Sequence, residues 1–138
     1  MNDFFVFLTS NTNLKEHPQN TSSEFICHIP EEININFNYK VALWDLILPP
    51  SKDESLLIFV YSDIVAPSIL SSTLSNVLKI TTPNRTAFAS CEDIENPVYL
   101  PIAKTSFQTI SILFTDQKGD KITFEKSISA LTLHFKEF

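Results

Sequence analysis

The sequence predicts an all-β domain. Apolar and polar side chains alternate with period two along most of the chain, and apolar residues seldom recur at helical spacing. Eight or nine such runs follow one another, spaced roughly ten to fifteen residues apart, the pattern of a sandwich or barrel. Parallel βαβ architectures need crossover helices that this pattern does not supply, so the strands are expected to be antiparallel. At 138 residues and 15.7 kDa the chain suits one domain spanning residues 1–138, and no internal repeat or linker divides it.

Taken in order, residues 3–9 place Phe5 and Phe7 on one face and Phe4, Val6 and Leu8 on the other. With both faces apolar, both are expected to be buried. Residues 10–20 are polar, contain Pro18 and read as a loop. Phe25, Cys27 and Ile29 then alternate with Glu24, Ile26 and His28; beyond Pro30, Ile33, Ile35 and Phe37 alternate with asparagines as the clearest strand with one face inward. Residues 40–48 form an apolar run closed by Pro49 and Pro50, which cannot extend a ladder. After a charged turn at Lys52, Asp53 and Glu54, residues 55–61 repeat the pattern. Residues 63–75 hold Pro67 and four serines and have room for one helical turn over residues 69–74, ahead of a strand at residues 77–81. Residues 83–96 are polar and loop-like; strands follow at residues 98–102 and 107–115. Asp116 to Asp120 reads as a hairpin turn in which Gly119 takes the position that needs a positive φ. Residues 121–124 are expected to pair back, and Leu131, Leu133 and Phe135, interleaved with Thr132 and His134, to form the last strand.

Composition narrows the function classes. An average chain of this length would carry roughly ten glycines, whereas this one has a single Gly119. Neither G-x-G-x-x-G nor G-x-x-x-x-G-K-[ST] can occur, so the two commonest phosphate cradles are absent. The net charge is −6 and no three bases are consecutive, which argues against a specific nucleic-acid surface. Met1-Asn2-Asp3 lacks a basic n-region, the apolar run after it is too short for a signal sequence, and nothing approaches a membrane span. Cys27 and Cys91 are expected to be free buried thiols of a reducing compartment. The sequons at Asn20 and Asn84 are then expected to be unglycosylated.

Candidates for chemistry are few. Cys27 and His28 are adjacent on a strand, so they point to opposite faces and cannot form a thiolate–imidazole pair. The histidines, His17, His28 and His134, lie far apart in sequence without zinc-ligand spacing. Asp116 and Asp120, and likewise Glu92, Asp93 and Glu95, lack the alternating-carboxylate spacing of a calcium loop and read as solvated turn acids. Phe4, Phe5, Phe7 and Trp44 could stack on bases but have no accompanying basic cluster, so core packing is expected of them. The expectation is a protein with no catalytic residues, no metal and no cofactor, acting through its surfaces. The N-terminal run Phe4, Phe5, Val6, Phe7 and Leu8 is the candidate for burial against a neighbouring molecule.

Several stretches, in order, resemble one family. Asn20-Thr21-Ser22-Ser23-Glu24-Phe25, Ile29-Pro30-Glu31-Glu32-Ile33 and Lys40-Val41-Ala42-Leu43 are similar to the opening of the minor capsid, or penton, proteins of Polinton/Maverick elements, adintoviruses and virophages. Tyr61-Ser62-Asp63-Ile64-Val65-Ala66-Pro67 and Leu78-Lys79 resemble its middle. Tyr99-Leu100-Pro101-Ile102, Phe107 with Ile110, the turn from Asp116 to Asp120 leading into Ile122-Thr123-Phe124, and Leu131-Thr132-Leu133-His134-Phe135-Lys136 resemble its end. The resemblance implies a single jelly-roll β-sandwich of about eight antiparallel strands, lettered B to I and ordered BIDG and CHEF in two sheets. It also implies a homopentamer at each fivefold vertex of an icosahedral double-stranded DNA virus or virus-like element. The partners would be further copies of the chain and a major capsid protein, without specific nucleic-acid binding or membrane insertion. The location would be the virion capsid after synthesis in the host cytoplasm. Family members often carry a glycine in the segment matching residues 66–72 and another after that matching residues 122–124. This chain has neither, so its turns there are expected to differ. The competing reading is a non-catalytic β-sandwich binding module, lectin-like or receptor-binding, or a domesticated capsid gene; residues 83–96, with Asn84, Arg85, Glu92 and Asp93, would be its loop.

Overall fold

The structure, a computed structural model, describes residues 3–51, 57–82, 90–93, 96–124 and 128–138. Its elements are β1 (Phe4–Thr9), β2 (Glu24–Asn34), β3 (Tyr39–Leu48), β4 (Ile58–Ser62), β5 (Ser68–Leu70), β6 (Thr73–Ser75), β7 (Val77–Thr81), β8 (Ser90–Asp93), β9 (Leu100–Pro101), β10 (Ser106–Thr115) and β11 (Ala130–Glu137). No helix occurs among the described residues. One sheet runs β1-β11-β3-β8, with β9 also on β3; the other runs β2-β10-β4-β7; β5 and β6 form a separate hairpin. Every pairing is antiparallel. The two sheets pack face to face as a β-sandwich.

The core is made by alternate residues of both inner faces. Leu8, Val41, Leu43, Leu46, Leu131, Leu133 and Phe135 come from the first sheet, and Phe25, Ile58, Val60, Ile110, Ile112 and Phe114 from the second. Phe135 stacks on Phe4 at 4.8 Å between centroids within its sheet and on Phe107 at 5.8 Å across the sandwich. Fully burying one such side chain contributes about 1.5–3 kcal/mol. In β3 the inward residues Leu43 and Leu46 are three apart, which strict alternation forbids. A register shift resolves this: Leu133 faces Leu43 while Thr132 faces Asp45, leaving Trp44 as the extra residue of a β-bulge.

The edges fix the lateral layout. Cys27 Sγ donates to the Thr9 carbonyl at 3.6 Å, which sets β1 and β2 on the same side of the sandwich. On the opposite side, Ala66 N–H donates to the Pro101 carbonyl and Ala103 N–H to that of Ile64, which ties the β4–β5 connection to β9. The outward edge of β2 is covered by side chains of the loop before it. Asn20 Oδ1 accepts from the Ile26 N–H and Asn20 Nδ2 donates to the Ile26 carbonyl, both at 3.0 Å, as a neighbouring strand would. Asn13 Oδ1 accepts from the His28 N–H at 2.8 Å. Capped in this way, the edge is not open to strand addition at those positions.

Several sequence expectations need correction. Pro30 does not split β2, which continues to Asn34. Between the pairs Ile33↔Phe107 and His28↔Thr109 the β2 side is longer, and Pro30 sits in that irregularity on an edge strand, where its missing N–H costs no ladder bond. Phe37 is 72% exposed, because Tyr39 N–H bonds the Asn36 carbonyl and the chain turns under it; Ile33 and Ile35 are half-buried. Residues 69–74 form the β5–β6 hairpin and not a helical turn, with Ser71 at φ 56° in the tight turn. Residues 83–96 are not all loop: Ser90–Asp93 pairs with the free edge of β3, while residues 83–89 and 94–95 lie outside the described residues. Residues 121–124 pair back on β10 as expected at Lys121↔Thr115 and through the Ile122 N–H to the Phe114 carbonyl, but form no strand, and Phe124 bridges to Ser51. The strand expected at residues 55–61 begins at Ile58 and runs to Ser62, and the turn at residues 52–54 lies outside the described residues. β11 is the expected last strand with Leu131, Leu133 and Phe135 inward, but its outward Thr132 and His134 are buried as well.

Gly119 stands at φ +90° as expected, in a turn where Asp116 Oδ1 accepts from the N–H groups of both Lys118 and Asp120. A Cβ added there would meet nothing within 4 Å, so the cost of a side chain is backbone strain alone. Gly119→Ala is expected to destabilise the fold by ~1–2 kcal/mol, read as a fall of several degrees in melting temperature with unchanged far-ultraviolet circular dichroism.

Candidate assembly surface

The outer face of the first sheet carries a cluster of rings that the strand register assembles. Phe5 in β1 is paired with His134 in β11, and His134 with Ala42 in β3. The small Ala42 is fully buried, and Trp44 projects beside it from the bulge. Phe5 stacks on the His134 imidazole at 4.5 Å. Trp44 meets His134 edge-on at 5.0 Å and Phe5 at 5.3 Å. Tyr99, just ahead of β9, lies edge-on to His134 at 5.6 Å and to Phe138 at 5.5 Å. Edge-to-face contacts of this kind add about 0.5–1.5 kcal/mol each beyond burial. Lys136 and Lys40 lie over the Phe138 ring at 5.6 and 5.0 Å, holding the cluster's charged rim.

His134 is buried at the centre of this face yet fully partnered. Nδ1 lies 2.7 Å from the Tyr99 hydroxyl and Nε2 lies 3.6 Å from Asp3 Oδ2. The neutral tautomer with its proton on Nε2 accepts from Tyr99 and faces Asp3, so one imidazole ties the start of β1, β11 and the segment before β9 together. The order Asp, His, hydroxyl is that of a nucleophile relay, but here the hydroxyl is a phenol that holds its proton more tightly than usual. Burial, reinforced by Asp3, pushes the Tyr99 phenol above its ordinary value, so it stays a proton donor.

The five residues expected to meet a neighbour divide between two faces. Phe4, Val6 and Leu8 turn inward on the core, whereas Phe5 and Phe7 turn outward, 46% and 76% exposed. The expectation that both faces are buried, and that Phe5, Phe7 and Trp44 are core, is therefore corrected. β1 is an edge strand of a sheet whose outer face no other layer covers among the described residues. Trp44, Tyr99 and Phe138 were missed as members of this outer face, as was the buried His134 at its centre. The odd spacing of Leu43 and Leu46 around Trp44-Asp45 was the sequence signal for the bulge that turns Trp44 outward.

Elsewhere, Cys27 and His28 do point apart. The Cys27 thiol is buried, and desolvation pushes its pKa up to about 11 against the lowering effect of the Thr9 carbonyl. His28 instead meets His17, Nε2 to Nε2, at 2.8 Å. Among the described residues no three His, Cys, Asp or Glu side chains gather as metal ligands. The Cys91 side chain and Glu95 lie outside what is described. On the outer face of the second sheet a groove of about 680 Å³ is floored by Ile26, Tyr61 and Leu113 and rimmed by Gln19, Asn76 and Gly119. At its side Asp63 is already engaged, accepting from the Ser111 N–H at 2.9 Å and from Lys104 at 3.0 Å. No protein-family model matches the chain, and no curated protein matches it.

The raised thiol and phenols set the alkaline behaviour. Tyr39, like Tyr99, is pushed up chiefly by burial. Above about pH 9 the unfolded chain loses protons that the folded chain keeps, so stability is full below that pH and falls as pH rises toward about 11. Denaturant midpoints measured from pH 7 to 11 are expected to fall over that window, and to fall less steeply in Cys27→Ala.

Proposed function

We propose that the protein is a non-enzymatic structural subunit of an icosahedral virus or virus-like shell, a penton that forms homopentamers at fivefold vertices and docks to a major capsid protein in the virion. The observation that carries this is the strand order. Lettering β1, β2, β3, β4, β7, β8 with β9, β10 and β11 as B to I gives B-I-D-G for one sheet and C-H-E-F for the other. That order supports a jelly roll, an architecture shared by viral capsid and lectin domains. The ordered family resemblance selects the capsid reading from the two. The exposed Phe5, Phe7 and Trp44 support it further, since contiguous apolar surface on a small domain marks an interaction site.

In a fivefold ring each contact is heterologous, one surface meeting a different one on the neighbour. Native mass measurement is expected to give five times the 15.7 kDa chain. A strictly monomeric species at high concentration overturns the proposal.

The groove on the second sheet favours a second reading, a non-catalytic binding module of lectin-like or receptor-binding type. Its volume of about 680 Å³ lies in the range of ligand sites, and Tyr61 with the Gln19 and Asn76 amides offers polar groups beside the lysine-paired carboxylates of Glu24 and Asp63. Residues 83–89 and 94–95 of the loop first considered for this role lie outside the described residues. Hits on a glycan array that are lost in Tyr61→Ala would establish this second reading; an array without hits removes it.

A further inference from the structure

The β5–β6 hairpin is a two-stranded sheet bonded to neither main sheet. An isolated hairpin of this size is marginal in water without something packed on its apolar face. Here the directly opposed pair Ile69↔Leu74 is that face, and it is bare: Ile69 is 79% and Leu74 73% exposed. The second such place is Phe7 on β1, 76% exposed beside Phe5.

Their placement is complementary. β1 and β2 share one side of the sandwich, joined by the Cys27–Thr9 bond. The hairpin lies between β4 and β7 in the chain, and its root is held to β9 on the other side through Ala66–Pro101 and the Val65↔Ile102 bridge. The two apolar surfaces therefore sit on opposite lateral edges, as the two halves of a head-to-tail contact must. Charge points to the same pair. The molecule carries a net −6, so copies repel. Yet no ionisable residue lies between Asp63 and Lys79, or between Asp3 and Lys15. On these stretches copies can meet without bringing like charges of the stretches themselves together.

We infer that the β5–β6 hairpin is the docking arm of self-association, seating Ile69 and Leu74 of one copy on the Phe7 edge of a second copy. The inference rests on the proposed homo-oligomeric role and names the two surfaces that make it. Neither surface is core, so substitution leaves the fold intact, checked by unchanged denaturant midpoints. Ile69→Asp/Leu74→Asp and Phe7→Asp are each expected to be monomeric by native mass measurement under conditions that assemble the wild type. Mixed in equal amounts, they retain one intact arm and one intact seat between them, and are expected to give 1:1 dimers and nothing larger. A hairpin variant that still forms the wild-type oligomer, or a mixture that stays monomeric, overturns the docking arm while leaving the oligomeric role standing. A wild type that is itself monomeric overturns both.

Discussion

Phe135 stacks on Phe4 beside it and on Phe107 across the sandwich, and the strand that carries it is bonded on both sides, to β1 and to β3. β11 is thus the member on which the rest depends. Its inward residues, Leu131, Leu133 and Phe135, form the middle of one core face. Its outward His134 organises the other face, holding Phe5, Trp44, Tyr99 and Asp3 around one imidazole. Because adjacent strand residues point to opposite faces, core and surface are coupled through a single strand. A change of register in β11 would exchange them.

The two strands on the shared side of the sandwich treat their free edges in opposite ways. β2 is closed by Asn20 and Asn13, which satisfy its outward backbone groups, and by Pro30. Among the described residues β1 has no such cover and adds exposed Phe5 and Phe7. Edges are ordinarily blunted because they recruit other strands. One edge is thus blunted and its neighbour left apolar, on the same side of the sandwich.

The single glycine has a structural counterpart. Positive φ occurs at Gly119 and also at Asn13 and Ser71, residues whose short polar side chains tolerate that region better than bulkier ones do. Ser71 lies in the segment where the resembling family often has glycine, and there it makes the tight turn of the exposed hairpin. Low glycine content has not removed such turns; it has moved them onto asparagine and serine.

Period-two alternation was enough to read the fold class and most strands, because it states which residues share a face. β3, β7 and β10 were legible from their apolar runs, and the turn at Gly119 from its chemistry. Three kinds of information were not local. Pro30 was tolerated because β2 is an edge, which only strand order decides. Residues 69–74 became a hairpin because a positive φ at Ser71 closes the turn, and nothing in a serine-rich stretch announces that. Phe5, Phe7 and Trp44 had the composition of core, and burial depends on whether a second layer covers the face. Among the described residues no layer covers that face, and apolar residues expected inside therefore stand exposed on it.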